Sequence, residues 1–282
     1  MLIFKLSCPD RPGLVAKIAQ FVASHQGNLK ELNQFTDTLK HRFFARLEVE
    51  IDALDLPIES FIQGFGLLAD SIDAQWHCRQ APFKIRTAIL VTRTTHCLNE
   101  ILWRAAENEL PLEITSIIGN RKDCREIADK EGIPFHHIEM RGDQREAGFE
   151  RIAEILKEEK VEFGILARFM QILPDWFCAE FAEQIINIHH SFLPAFIGAN
   201  PYRQAYERGV KLIGATCHYV TPDLDAGPII DQQVRRVLHS HGPKDLIRLG
   251  RDCERAALAR GIRYHTYERT LIDGNRAIVF ED

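Results

Sequence analysis

The chain has 282 residues, enough for about two domains that each bury a core, and its 35 basic and 40 acidic residues leave a net charge of −5. Both halves are mildly acidic, which excludes a basic nucleic-acid binder. No stretch approaches the ~20 apolar residues of a membrane span, and the N-terminal apolar run meets Pro9 and Asp10 too early for a secretory leader.

Residues 2–7 read as a short apolar strand that stops at Cys8-Pro9-Asp10-Arg11-Pro12-Gly13, and Leu14, Val15, Ile18, Phe21 and Val22 then recur at helical spacing. Gly27-Asn28 ends that helix. Two β-rich runs, 29–37 and 42–51, flank a polar turn near Leu39-Lys40-His41; a helical stretch covers 57–70, and 72–78 is extended. The order βαββαβ predicts a ferredoxin-like domain over 1–80, closed by the linker Arg79-Gln80-Ala81-Pro82.

From Lys84 the pattern changes. Apolar strands at Ile85–Val91, Ile114–Ile118, Phe135–Ile138, Phe163–Ala167 and Ile185–His189 alternate with charged helices over 97–108, 123–131 and 144–159. Such alternation predicts an α/β domain, Rossmann-like, with a parallel sheet covered by helices over 84–282. Neither GxGxxG nor GxxxxGKS follows its first strand, so a nucleotide-cradling loop is not expected. Gly64-Phe-Gly66 lies within a helical stretch and is assigned to packing.

The chemistry concentrates in Ile186-Asn187-Ile188-His189-His190-Ser191-Phe192-Leu193-Pro194 and in His218-Tyr219-Val220-Thr221-Pro222-Asp223-Leu224-Asp225-Ala226-Gly227-Pro228. Residues two apart in a strand share a face, so Asn187 and His189 point the same way while His190 leaves on the opposite face. They stand at the carboxyl end of a strand, where open α/β sheets hold ligands. Asp225 sits in a turn closed by Gly227-Pro228, which can fix a carboxylate against them. Taken alone, Asn187 and His189 also suit satisfied polar groups at a strand end. The pairs His189-His190 and His136-His137 do not form a metal set, because adjacent strand residues diverge and no further ligands accompany them at the usual spacing. No metal is expected.

Two resemblances sharpen this reading. Asp10, Arg11, Pro12, Gly13 and Asn28 make the first domain resemble ACT domains, which often pair across subunits and bind a small amino acid; Gly13 and the first-turn amides of the helix suit a carboxylate. Pro12 and Gly13 equally suit a plain helix start. The second domain resembles the formyltransferase-fold family that handles 10-formyltetrahydrofolate. The match includes Leu166-Ala-Arg-Phe-Met-Gln-Ile-Leu173, which is similar to that family's pterin-holding loop, and Ser191-Phe-Leu-Pro-Ala-Phe-Ile-Gly198, similar to the loop beside its catalytic strand. The resemblance implies Asn187, His189 and Asp225 as the catalytic trio, and Met170, Gln171, Ile172, Leu173, Leu224 and Gly227 as substrate-binding residues. The regulatory ligand would be held by Asp10, Arg11, Gly13 and Asn28.

These residue types suit attack on a formamide-like carbonyl, since Asn187 and His189 can donate to the developing oxyanion, each such donor being worth ~3 kcal/mol, while Asp225 positions water. Transferases of the family must also seat an acceptor, and the one acting on glycinamide ribonucleotide has a Gly/Ser-rich phosphate loop after the first strand. Here that loop, Thr94-Thr95-His96-Cys97-Leu98-Asn99, has no glycine, and His189-His190 replaces the His-Pro typical of that transferase. Water is therefore the expected acceptor: 10-formyltetrahydrofolate is hydrolysed to tetrahydrofolate and formate, serving one-carbon and purine metabolism, with no cofactor beyond the substrate. The alternatives are a formyltransferase with an unidentified acceptor, or a sensor of folate or an amino acid without turnover. Two departures from the family pattern are the glycine-free Thr92-Arg-Thr-Thr turn and Cys217, where a smaller residue is usual. Seven cysteines, an odd set without a CxxC pair, point to a reduced, cytoplasmic setting. A homo-oligomer is expected from the ACT resemblance.

Overall fold

Alternating apolar residues build the first sheet. β1 (Leu2–Pro9), α1 (Leu14–Ser24), β2 (Asn28–Asp37), β3 (Arg42–Glu50), α2 (Ile58–Ser71) and β4 (Gln75–Gln80) follow in the expected βαββαβ order, in a sheet ordered β2-β3-β1-β4 with antiparallel pairs. The computed structural model describes residues 1–194 and 201–281. The extended stretch expected from residue 72 begins only at Gln75, because Asp73, with φ 54°, turns the chain out of α2. Leu2, Phe4 and Leu6 of β1 and Phe43, Ala45, Leu47 and Val49 of β3 face α1 and α2, where they meet Leu14, Ile18, Val22, Phe61 and Phe65. Gly64 and Gly66 serve this packing, against Phe21 and Trp76 respectively.

The second unit runs β5 (Ile85–Val91), α3 (His96–Ala106), β6 (Leu112–Gly119), α4 (Arg125–Glu131), β7 (Phe135–His137), α5 (Gln144–Glu158), β8 (Phe163–Leu166), α6 (Asp175–Glu180), β9 (Ile185–His189), α7 (Pro201–Glu207), β10 (Leu212–Tyr219), β11 (Ile229–Arg236) and α8 (Pro243–Thr266). Its seven-stranded sheet has the order β11-β10-β9-β8-β5-β6-β7. The five strands from β9 to β7 are parallel as expected, but β10 runs antiparallel to β9 and β11 antiparallel to β10. The 24-residue α8 was not among the predicted elements. Its buried face sets small residues, Gly250, Cys253, Ala257 and Gly261, among Leu246, Leu258 and Ile262, and the helix packs on β9, β10, β11 and α3. A Cβ at Gly261 would overlap Cys217 Sγ, so the helix yields the space that this larger residue needs. Among the described residues no helix is long and apolar enough to cross a membrane.

The chain then returns to the first unit. Tyr267–Asp273 and the residues from Ile278 onward cluster with Met1–Phe83, which corrects the expected division into 1–80 and 84–282. The cause lies on the other face of the first sheet: Phe44 packs against Ile278 and Phe280, and the paired strands β12 (Thr270–Asp273) and β13 (Arg276–Val279) supply the cover. Arg46 on that face is 0% exposed. Its guanidinium donates to Glu31 at 2.9 Å, to Glu48 at 2.5 Å and to the carbonyls of Tyr267 and Glu268 at 3.1 Å each. The Glu268 side chain is in turn held by Lys5 at 2.6 Å and Arg79 at 2.9 Å.

Candidate active site

Three loops at the carboxyl edge of the parallel strands meet around one cavity of about 650 Å³: Thr92–Thr95 after β5, Ala167–Leu173 after β8, and His190–Pro194 after β9. Hydrogen bonds fix them. Met170 N donates to Thr92 Oγ1 at 3.0 Å, Leu193 N donates to Thr216 Oγ1 at 3.0 Å, and Thr216 Oγ1 donates to Ser191 O at 2.9 Å. The glycine-free turn after β5 is thus anchored to the neighbouring loop through a threonine hydroxyl.

Asn187 and His189 share a face of β9, and the antiparallel register sets His218 opposite Asn187 and Thr216 opposite His189. Asp225 reaches them from a left-handed backbone conformation, φ 54°, which a residue with a Cβ adopts at a cost of ~1–2 kcal/mol. The turn is held there because Gly227 lies so close to β10 that a Cβ would overlap the Tyr219 carbonyl oxygen. His189 Nδ1 lies 3.2 Å from Asp225 Oδ2, and His218 Nε2 lies 3.7 Å from Asp225 Oδ1.

Hydrogen positions follow from the partners. His218 Nδ1 lies 2.8 Å from Tyr219 O, an obligate acceptor, so Nδ1 carries the hydrogen; in the neutral ring Nε2 then accepts from Asn187 Nδ2 at 3.2 Å. The Asp225 carboxylate likewise accepts a hydrogen from His189 Nδ1, and beside that negative charge an imidazolium ring carries a second hydrogen on Nε2, which is buried without a hydrogen-bond partner and free to donate into the cavity. Burial pushes the Asp225 carboxyl up, but the hydrogen bond from His189 and the charges that His189 and His218 carry when protonated outweigh it and hold the group well below the usual carboxylate range. The result is an ionised carboxylate, two oriented imidazoles, an oriented amide and one unspent ring nitrogen. Such an array can donate to an oxyanion and direct a water.

A second polar cluster borders the same cavity. Glu254 of α8, 1% exposed, accepts from Tyr202 Oη at 2.6 Å and from His96 Nε2 at 2.8 Å, with Arg168 Nε at 3.4 Å. Gly250, one turn earlier, makes this possible, since any Cβ there would overlap the Tyr202 ring. Burial pushes the Glu254 carboxyl up, but His96, the Arg168 charge and the Tyr202 hydroxyl together hold it below its ordinary value. Burial pushes the Tyr202 hydroxyl up as well, with Glu254 reinforcing the shift. His96, Cys97 and Glu254 bring one possible ligand atom each within 4.8 Å of one another. The set does not fit a metal: burial keeps the Cys97 thiol protonated, and the carboxylate is already shared with Arg168 and Tyr202.

This geometry matches known proteins along the whole chain. The formyl transferase model matches residues 85–262 and the ACT model residues 2–59. A formyltetrahydrofolate deformylase from Synechocystis sp. is 45% identical over 275 residues, covering 98% of this chain and 96% of that protein. The crystal structure of a formyltetrahydrofolate deformylase from Pseudomonas syringae pv. tomato superposes with a TM-score of 0.96 at 41% identity, covering 99% of this chain and 94% of that one. The chain belongs to the formyltetrahydrofolate deformylase family. By contrast, glycinamide ribonucleotide transformylase 1 from Symbiobacterium toebii, at 32% identity and a TM-score of 0.67, covers 70% of this chain and 95% of its own.

Within this deformylase-family frame most of the expected residues converge. Asn187, His189, Asp225, Met170, Gln171, Ile172, Leu173 and Leu224 all line the cavity, with Met170, Ile172 and Leu224 exposed at its rim. Gly227 is a correction: it does not line the cavity, and its role is the close approach to β10. His190 is another. β9 ends at His189, strand alternation ends with it, and His190 turns into the same cavity with its ring centroid 5.2 Å from that of His189. Of the expected regulatory residues, Asp10, Arg11 and Gly13 line a second cavity of about 480 Å³ in the first unit, whereas Asn28 lies outside its lining and donates to Glu50 at 2.9 Å. Residues 195–198 of the expected loop beside the catalytic strand lie outside the described residues.

Sequence reasoning missed His218, His96, Arg168, Tyr202 and Glu254 as site residues. His218 could have been found only from the β9–β10 register, which no alternation of apolar residues reveals. Glu254 is one acid in an arginine-rich helix, and only its one-turn spacing from Gly250 hints at its role.

Proposed function

We propose that this protein hydrolyses 10-formyltetrahydrofolate to tetrahydrofolate and formate, with Asn187, His189 and Asp225 as the reacting unit and no cofactor beyond the substrate. The observation that carries this reading is the buried, unpartnered His189 Nε2 beside the Asn187 amide, its ring held by an ionised Asp225. The exposed Met170, Ile172 and Leu224 offer apolar surface to a pterin and its aryl neighbour, while the loop backbone offers hydrogen bonds. Water adds to the formyl carbon and the carbonyl electron pair moves to oxygen, where Asn187 and His189 donate to it. One water proton passes by way of Asp225 to the folate nitrogen as the carbon–nitrogen bond breaks. The adduct collapses to formic acid, which ionises to formate.

A transferase reading with an unidentified acceptor fits less well. The loop entering α3 has no glycine to shape a phosphate nest, and its His96 side chain is already held by Glu254. Purified protein given 10-formyltetrahydrofolate in buffer alone is expected to release formate and tetrahydrofolate in equal amounts. Formate release that began only on adding glycinamide ribonucleotide or another amine would replace the hydrolase reading.

The ACT unit supports an amino-acid effector and self-association. Gly13 opens α1 with φ 89°, and Leu14, Val15 and Ala16, whose amides have no partner within the helix, line the second cavity beside Asp10 and Arg11. Gly13→Val sets a β-branched residue in a left-handed conformation and crowds that approach. The change in formate release caused by each of the standard amino acids is expected to vanish in this variant, with its own basal turnover as the reference; an effector response equal to wild type would place the ligand elsewhere. Six of the seven free cysteines are buried, which suits the reduced, cytoplasmic setting expected of such an enzyme.

A further inference from the structure

A water that attacks carbon through a lone pair must commit both of its O–H bonds to acceptors, or its approach is unfixed. In the hydrolysis proposed above, Asp225 takes the proton that travels to the folate nitrogen. The other hydrogen, which stays on the adduct and leaves in formic acid, needs an acceptor of its own. Glu254 lines the cavity, but it is already engaged by Tyr202 at Oε1 and by His96 and the Arg168 charge at Oε2. His218 Nε2 faces the Asn187 amide and Asp225, and its Nδ1 is spent on Tyr219 O. His189 spends its Nδ1 on Asp225, and its Nε2 is the donor for the oxyanion.

His190 remains. Its ring lies beside His189 and meets the Tyr202 ring edge-on at 6.1 Å between centroids. Tyr202 is pinned between Gly250 and Glu254, and the chain after His190 is pinned by Thr216, so the imidazole is held from both sides. Burial, with the positive charges of Arg168 and His189, pushes its pKa down to about 4 against the opposing pull of Glu254 and Asp225. A neutral imidazole always presents one bare nitrogen, and so weak a base can accept a hydrogen bond without removing the proton.

We infer that His190 is a further catalytic residue, whose bare ring nitrogen accepts the hydrogen bond of the attacking water's retained O–H and so aims the oxygen lone pair at the formyl carbon. The inference rests on the hydrolase reading. The two are separated by assaying wild-type formate release first, since its absence would remove that reading before any variant is compared.

Two variants delete the acceptor while filling its space, His190→Phe and His190→Leu, and one retains an acceptor oxygen, His190→Gln. The acceptor-free variants are expected to lose ~100-fold in kcat with KM for 10-formyltetrahydrofolate and the melting temperature nearly unchanged, because water rather than folate loses its partner. His190→Gln is expected to restore about tenfold of that loss. The inference is overturned if a folded acceptor-free variant keeps wild-type kcat. It is also overturned if His190→Gln is as slow as His190→Phe and His190→Leu, or if the loss appears in KM and melting temperature rather than in kcat.

Discussion

Asp225→Asn is expected to lower turnover by at least ~100-fold while folate still binds. The amide has the shape of the carboxylate, so the turn held by Gly227 survives. What disappears is the negative charge that accepts from His189 Nδ1 at 3.2 Å and faces His218 Nε2 at 3.7 Å. An amide supplies no charge to balance an imidazolium whose Nε2 hydrogen is aimed at the oxyanion, and it cannot relay the water proton. Asn187→Ala should lose a comparable factor, since it removes a donor aimed at charge that exists only in the transition state. Asn187, His218, Asp225 and His189 form one contiguous chain of contacts, so the Asn187→Ala/Asp225→Asn double variant should be little worse than either single variant. Steady-state kinetics with binding of tetrahydrofolate measured in parallel decide this. Near-wild-type turnover in Asp225→Asn, or losses that multiply, would refute the unit.

The largest loss of stability is expected from Arg46→Met. The guanidinium is wholly buried and bonds two carboxylates and two main-chain carbonyls, so its removal strands Glu48 and the carbonyls of Tyr267 and Glu268 and leaves Glu31 to Arg269 alone. Breaking a buried pair from one side typically costs ~3–5 kcal/mol. For a unit of this size that lowers the melting transition by at least about 10 °C. Adding Glu48→Gln should recover part of the loss by discharging one stranded carboxylate. Arg46→Lys should rescue little, because an ammonium cannot span four acceptors set out for a planar fork. Differential scanning calorimetry tests the order; a melting curve within 2 or 3 degrees of wild type, about the effect of an ordinary surface change, would show that the cluster is solvated or redundant.

The two sites differ in how far they could be read from residues alone. Asn187 and His189 were legible because a strand has period two and their spacing is two, and Asp225 because Gly227-Pro228 marks a rigid turn. His190 was misplaced by the same rule, applied one residue beyond the point where β9 ends. His218 depended on an antiparallel pairing, and pairing is set by tertiary geometry rather than by the composition of either strand. Arg46 sits in the run Phe43-Phe44-Ala45-Arg46-Leu47-Glu48, whose alternation correctly places Phe44, Arg46 and Glu48 on one face. That this face is covered rather than wet follows only from residues more than two hundred positions later. α8 was not read from the sequence although Leu246, Leu258 and Ile262 mark its buried face; glycine, alanine and cysteine at its contacts bring the helix close to β10.

The return of the chain to its first sheet also sets an order of events during synthesis. Residues 267–281 leave the ribosome after the formyltransferase strands, so the ACT unit, although translated before them, waits with Phe44 and Arg46 uncovered until every strand of the formyltransferase unit has been made. A stop codon at position 267 would spare every active-site side chain and yet leave the first sheet with an open apolar face and a buried-type arginine in water.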